Sequence, residues 1–158
     1  MATRRPSRPI GDMQVLRPGD RRRERGNGPP RLQRGSDIAE RLLELAARAV
    51  RLASRLPRDP AGRHLAAQFI RSATGGGANY EEARAAESRE DFAHKASVAA
   101  KEVRETAFWL ALIERCGWAP GDAAALLGEA NELAAILGAS VRTARARAAG
   151  ASEPKPAR

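Results

Sequence analysis

Apolar residues recur along the middle of this chain at helical spacing, in four blocks separated by proline, glycine and capping residues. The first block reads Ile38, Leu42, Leu45, Ala49, Leu52 and Leu56, with a parallel row, Ala39, Leu43, Ala46, Val50 and Ala53, beside it. Two adjacent seams predict a wide buried face, as a bundle helix needs, and not the narrow seam of a two-stranded coil. Ser36 and Asp37 offer side chains to cap its start, and Pro57 is expected to end it. Arg41, Glu44, Arg48, Arg51 and Arg55 fall mostly on the solvent side.

The second block takes Asp59 as its cap and Pro60 as its first helical residue. It runs through Leu65, Phe69, Ser72, Gly76, Asn79 or Tyr80, and Ala83 to about Ala86. The triplet Gly75-Gly76-Gly77 interrupts it, at a cost on the order of 2–3 kcal/mol relative to alanine. Either the glycines break the helix or they let another backbone approach closely. Small and polar residues continue on the same face, which favours a continuous helix with room for a kink. In the third block Ser88 and Asp91 form a capping-box-like pair. Its seam is Phe92, Ala96, Ala99, Val103, Thr106, Leu110 and Ile113, stopping at Cys116-Gly117. The fourth block follows Pro120 and Asp122 through Leu126, Leu127, Ala130, Leu133, Ile136 or Leu137, and Val141, fading into Arg142–Arg147. Helices of roughly 20–27 residues joined by short loops predict an all-α fold, an antiparallel up-down-up-down four-helix bundle.

Composition adds the tails. The chain has 158 residues, room for one domain, and only 4% aromatics, so an Ala- and Leu-rich core favours helices over a sheet. Residues 1–35 hold five prolines, five glycines and ten arginines, including the run Arg21-Arg22-Arg23-Glu24-Arg25. Such a segment buries too little apolar surface to offset its ordering entropy, so it reads as a disordered basic N-terminal tail. The bundle is then expected over residues 36–148, with a second disordered tail over 149–158. The net charge of +9 divides as +7 in residues 1–35, −2 in 36–140 and +4 in the last 18. Up-down-up-down topology brings the two positive ends together at one end of the molecule. No run of 18 apolar residues and no secretory signal are present, and the single Cys116 forms no intramolecular disulfide. These features point to a cytoplasmic protein without membrane contact.

No constellation for catalytic chemistry stands out in the sequence. A di-iron bundle needs two Glu-x-x-His pairs; His94 has Asp91 three residues earlier, but His64 has Ala61. Gly75-Gly76-Gly77 lacks the lysine of a phosphate loop. Cys116 has no base beside it. The expectation is a non-enzyme with no cofactor and no metal. Arg71, Ser72, Asn79 and Glu82, and Glu102, Glu105 and Trp109, recur at one or two helical turns. They are either surface pairs or groups turned into a core or subunit contact. Arg21, Arg22, Arg23 and Arg25, with Arg142, Arg145 and Arg147, are the candidate nucleic-acid contacts; a merely solvated tail and an adaptor bundle binding protein are the alternatives.

Arg71-Ser72-Ala73, then Gly77 to Ala83, Phe92-Ala93-His94-Lys95, and Glu102-x-x-Glu105-x-x-x-Trp109-Leu110 resemble the four-helix-bundle family encoded in 23S rRNA intervening sequences. A relative of that family is the accessory variability protein of diversity-generating retroelements. The resemblance covers about residues 37–147. It implies a non-catalytic bacterial bundle that assembles as a homopentamer. In the retroelement relative the assembly is basic, binds nucleic acid and associates with a reverse transcriptase, so RNA or DNA is a possible partner here. It implies that Arg71, Asn79, Glu82, Glu102, Glu105 and Trp109 are structural signature residues. The glycine triplet departs from the family pattern, and the near-neutral bundle leaves nucleic-acid binding to the chain ends.

Overall fold

The structure, a computed structural model, describes residues 35–151. They form four helices, α1 (Ser36–Ala53), α2 (Pro60–Arg84), α3 (Arg89–Arg115) and α4 (Pro120–Ala151), and no strand among the described residues. Each helix packs on its neighbour in sequence, and α1 closes the ring against α4. The diagonal pairs do not meet. This is the antiparallel four-helix bundle that short connections impose. The expected tails 1–34 and 152–158 lie outside the described residues.

The core is the first seam of each block. Leu42, Leu45, Leu52, Phe69, Val103, Leu110, Ile113, Leu133 and Leu137 are fully buried, interleaved with Ala49, Ala96, Ala99 and Ala130. Of the paired alternatives, Tyr80 is buried and Asn79 is not, and Leu137 is buried while Ile136 is half-buried. Small residues between leucines let the helix axes approach, so the shape of this core comes from Ala as much as from Leu.

Four local expectations are corrected. Ser36 and Asp37 do not cap α1: Gly35 occupies the N-cap at φ 84°, with no side-chain cap, and its carbonyl accepts from the Ala39 amide at 3.0 Å. Positive φ suits glycine, and a side chain there would run into the Tyr80 hydroxyl. The helix ends at Ala53, before Pro57, and the proline disfavours helical conformation at Leu56. The last turn tightens, with the Arg55 and Leu56 amides donating to the Leu52 and Ala53 carbonyls; Leu56 still buries itself from the turn. The second α1 seam is not all core, since Leu43 is 63% and Val50 46% exposed. Lengths also spread wider than expected, 18 residues for α1 and 32 for α4.

The Gly triplet does not break α2, which runs uninterrupted from its cap, where Asp59 Oδ1 accepts from the Gly62 amide at 2.8 Å. Gly76 is buried against α3, where a Cβ would sit 2.8 Å from Val103 Cγ2. Gly76 serves close approach. At α3, Ser88 Oγ accepts from the Asp91 amide at 3.0 Å as expected. The Asp91 carboxylate turns to Lys95, at 3.1 Å, instead of reaching back. By length and composition alone Gly121–Gly150 of α4 could cross a membrane, contrary to the sequence reading. Here one side of that helix packs on α1 and α3, and Glu129 and Glu132 on it both pair with Arg41 of α1.

Candidate functional site

Two clusters of polar side chains stand out, one on the α2–α3 seam and one at the end of the bundle where α4 finishes.

The α2–α3 seam begins with hydroxyls inside the core. Ser72 and Thr106 are fully buried and their oxygens lie 3.1 Å apart. Ser72 donates to the Phe69 carbonyl at 3.1 Å, and Thr106 donates either to Ser72 or to the Glu102 carbonyl at 2.9 Å. Toward solvent, Arg71 spans two glutamates of α3, Glu102 and Glu105. It hydrogen-bonds Glu105 through Nη2 and stands 3.5 Å from Glu102 Oε2 through Nη1. Its Nε donates to Gln68 Oε1 at 3.2 Å. Trp109 Nε1 donates to Glu105 Oε1 at 3.2 Å, and the indole lies edge-on to Phe108 and His64, with ring centres 5.0 and 6.2 Å away. Glu102 Oε2 is buried with no hydrogen bond, above Gly75.

Charge within this cluster is settled by its neighbours. Partial burial pushes the Glu105 carboxyl up, but the hydrogen bonds from Trp109 and Arg71 outweigh it and hold it below the ordinary carboxylate range. The Arg71 guanidinium is held charged mainly by its hydrogen bond to Glu105. Arg71 and Glu105 hold each other charged, while Glu102 Oε2 has no hydrogen bond and only the 3.5 Å approach of Arg71. The cluster clamps α2 to α3 in one register. Asn79 stands apart, donating back to the Gly75 carbonyl at 2.8 Å, and Glu82 is exposed. Of the six signature positions, then, Arg71, Glu102, Glu105 and Trp109 converge. Sequence reasoning did not pair Ser72 with Thr106; the available signal was a hydroxyl at a core position on each of two facing helices.

A second ion pair makes pH a probe of the fold. Arg41 lowers the pKa of Glu129, chiefly through a 2.8 Å hydrogen bond. A carboxylate with depressed folded pKa adds stability that is complete above its unfolded value, about 4.5, and vanishes as pH falls through the folded one. The pair is partly exposed, so its share is under about 1 kcal/mol. Urea melts should therefore lose stability between neutral pH and pH well below 4.5, and Glu129→Gln should lose measurably less over the same range.

The second cluster is basic. Gly35, Tyr80, Arg84, Arg89, Phe92 and Arg147 line one open groove, so the start of α1, the end of α2, the start of α3 and the end of α4 share one end of the bundle. Arg89 Nη1 donates to the Arg147 carbonyl at 3.4 Å, tying α3 to α4 there. Arg142, Arg145 and Arg147 are exposed and make no ion pair among the described residues. Arg21, Arg22, Arg23 and Arg25 lie outside the described residues. No three His, Cys, Asp or Glu side chains among the described residues group to hold a metal.

The seam and fold carry a family likeness. Residues 34–139 match the 23S rRNA-intervening sequence proteins. The chain belongs to this family. A solved structure from Bacteroides thetaiotaomicron VPI-5482, a protein with unknown function from the S23 ribosomal protein family, is 31% identical with a TM-score of 0.61. The match covers 66% of this chain and 97% of that one. No curated protein matches the chain. The 23S rRNA-intervening sequence match takes in the whole Arg71–Trp109 cluster but stops before Arg142, Arg145 and Arg147.

Proposed function

We propose that this chain is a non-enzymatic, cytoplasmic bundle that assembles as a homo-oligomer, a pentamer by family resemblance, and contacts nucleic acid through its basic end. The observation carrying this reading is that Arg142, Arg145 and Arg147, on the last turns of α4, make no ion pair among the described residues, with Arg147 lining the groove where α1 begins. Of the other arginines, Arg41, Arg51, Arg55 and Arg71 are each matched to a carboxylate, while Arg48, Arg58, Arg63 and Arg115 have no ion pair among the described residues. Uncompensated cations are the electrostatic footprint of a phosphate partner. The arginines that precede Gly35 would add to that charge.

Support for self-association is the exposed pair Leu43 and Val50 on α1. Leu43 lines an apolar groove of about 480 Å³ with Ala39, Ala46, Gly77 and Ala78. The proposed occupant is a second copy of this chain; a different protein is the adaptor alternative. The family's description points to ribosomal RNA as the first nucleic acid to try, and a reverse transcriptase as a protein partner would accompany a retroelement role.

The test is light scattering on protein stripped of nucleic acid, with RNA binding followed across a salt series. A stable oligomer whose RNA affinity falls steeply with salt is the expected result. Removing residues 1–34 should weaken binding by about tenfold or more, since ten arginines leave with them. A monomer that binds no RNA at low salt sinks the proposal.

A further inference from the structure

The groove between α3 and α4 has an unusual lining. Lys101 and Arg104 of α3 face Arg142 and Arg145 of α4 across about 320 Å³ of open space, with Ser97 and Gly138 between them. No carboxylate lines it. None of the four cations makes an ion pair or hydrogen bond among the described residues.

Two of them converge on one spot. A Cβ built on Gly138 would lie 3.4 Å from Arg104 Nη2 and 3.5 Å from Arg142 Nη1. Both guanidinium groups therefore reach over the same bare stretch of backbone, and like charges gathered without a counterion repel. Within each helix the cations are three residues apart, about 4.5 Å of rise, so the groove carries two short parallel rows of positive charge. Beyond Arg145 the surface continues past His94 and Glu90 toward the basic end. The other grooves differ. That between α1 and α4 also holds three arginines, but Arg51 and Arg55 there are paired with Glu44 and Asp122.

We propose that the α3–α4 groove is a phosphate-binding track for a nucleic-acid backbone, with Lys101, Arg104, Arg142 and Arg145 as its contacts. The inference rests on the nucleic-acid reading above and gives it a place on the folded bundle. Guanidinium pairs suit phosphate oxygens, which accept two parallel N–H bonds from one fork. Contacts of this kind position a backbone without reading its bases, so recognition by the groove is weakly sequence-specific.

The experiment uses the full chain and a short labelled RNA hairpin, with anisotropy followed from low to high salt. Lys101→Ala/Arg104→Ala should weaken binding by about tenfold or more at low salt. It should also lower the slope of log affinity against log salt by about 1.5–2, close to 0.9 for each lost phosphate contact. Arg58→Ala/Arg115→Ala removes the same charge at the opposite end and should leave the slope nearly unchanged. Gly138→Glu places a carboxylate under the two guanidinium groups; it should cost RNA affinity as the double variant does, without lowering the thermal midpoint. Inorganic phosphate should compete with RNA only at high concentration. Wild-type binding with an unchanged slope in both groove variants overturns the track and leaves the nucleic-acid reading standing. Tight binding of inorganic phosphate in the groove, with RNA affinity unmoved in the variants, overturns it in favour of a free-phosphate site. A wild-type chain that binds no RNA overturns both readings.

Discussion

Gly76→Leu should destabilise the bundle by about 2–3 kcal/mol, while Gly77→Ala, one residue on, should stabilise it by about 0.5–1 kcal/mol. The opposite signs come from what each position faces. At Gly76 even a Cβ would stand 2.8 Å from Val103 Cγ2, with the Val103 amide and the Ala99 carbonyl 3.8 and 3.9 Å away. Val103 is fully buried and β-branched, so it has essentially one rotamer in a helix and nowhere to turn. A leucine must therefore force α2 and α3 apart. That overpacking exceeds the helix propensity gained by removing a glycine, about 1 kcal/mol. At Gly77 the first atoms a Cβ meets are Leu42 Cβ and the Leu42 carbonyl, both at 4.0 Å, so the propensity gain survives. Urea melts of the two variants beside wild type decide the matter. Equal, small shifts of both midpoints would show that α2 and α3 are not locked together at Gly76.

Phe69→Ala should cost about 3–5 kcal/mol, a large part of the roughly 5–15 kcal/mol that keeps a domain folded. Phe69 is fully buried, and it is the largest fully buried side chain in the described core. The core cluster to which Phe69 belongs is made mainly of alanines and leucines, on helices held by the Arg71 ion pair and the Gly76 contact. Such surroundings collapse little, which puts the cost in the upper part of the range. A drop in urea midpoint with an unchanged m-value is the expected signature. A loss below about 1.5 kcal/mol would mean that the neighbours close the cavity, and that the core is looser than its burial implies.

Much of the fold was legible because helical periodicity and capping are local. Asp59 with Pro60, Ser88 with Asp91, and the Cys116-Gly117 stop set the limits of α2 and α3 through groups within a few residues of each other. The same holds for the first seam of α1, whose leucines are buried wherever a neighbour is supplied. The likeness of the Arg71 to Trp109 residues to a known family was visible for a related reason: the order and spacing of polar residues persist in the sequence whatever they touch.

The candidate sites were legible only in part. Arg142, Arg145 and Arg147 announce themselves as a cluster along one helix. Lys101 and Arg104 do not, for they sit amid glutamates on α3 and look like ordinary surface charges until the register of α3 against α4 is known. Asn79 and Glu82 share the periodicity of Arg71, yet of the three only Arg71 bonds across to α3; Asn79 donates back to the Gly75 carbonyl within α2, and Glu82 is exposed.

The sequence by itself therefore determined the number of helices, most of their ends, the antiparallel order and the uneven charge, all of which follow from spacing and short loops. Tertiary structure decided which of the two α1 seams is core, leaving Leu43 and Val50 outside because α2 and α4 cover only one side of that helix. It decided that the glycine triplet continues the helix and that Gly76 serves close packing, since only the position of Val103 tells packing from a break. It also decided which cations are paired and which converge, because helix register, a property of packed side chains and not of any one segment, sets the distance between charges far apart in the chain.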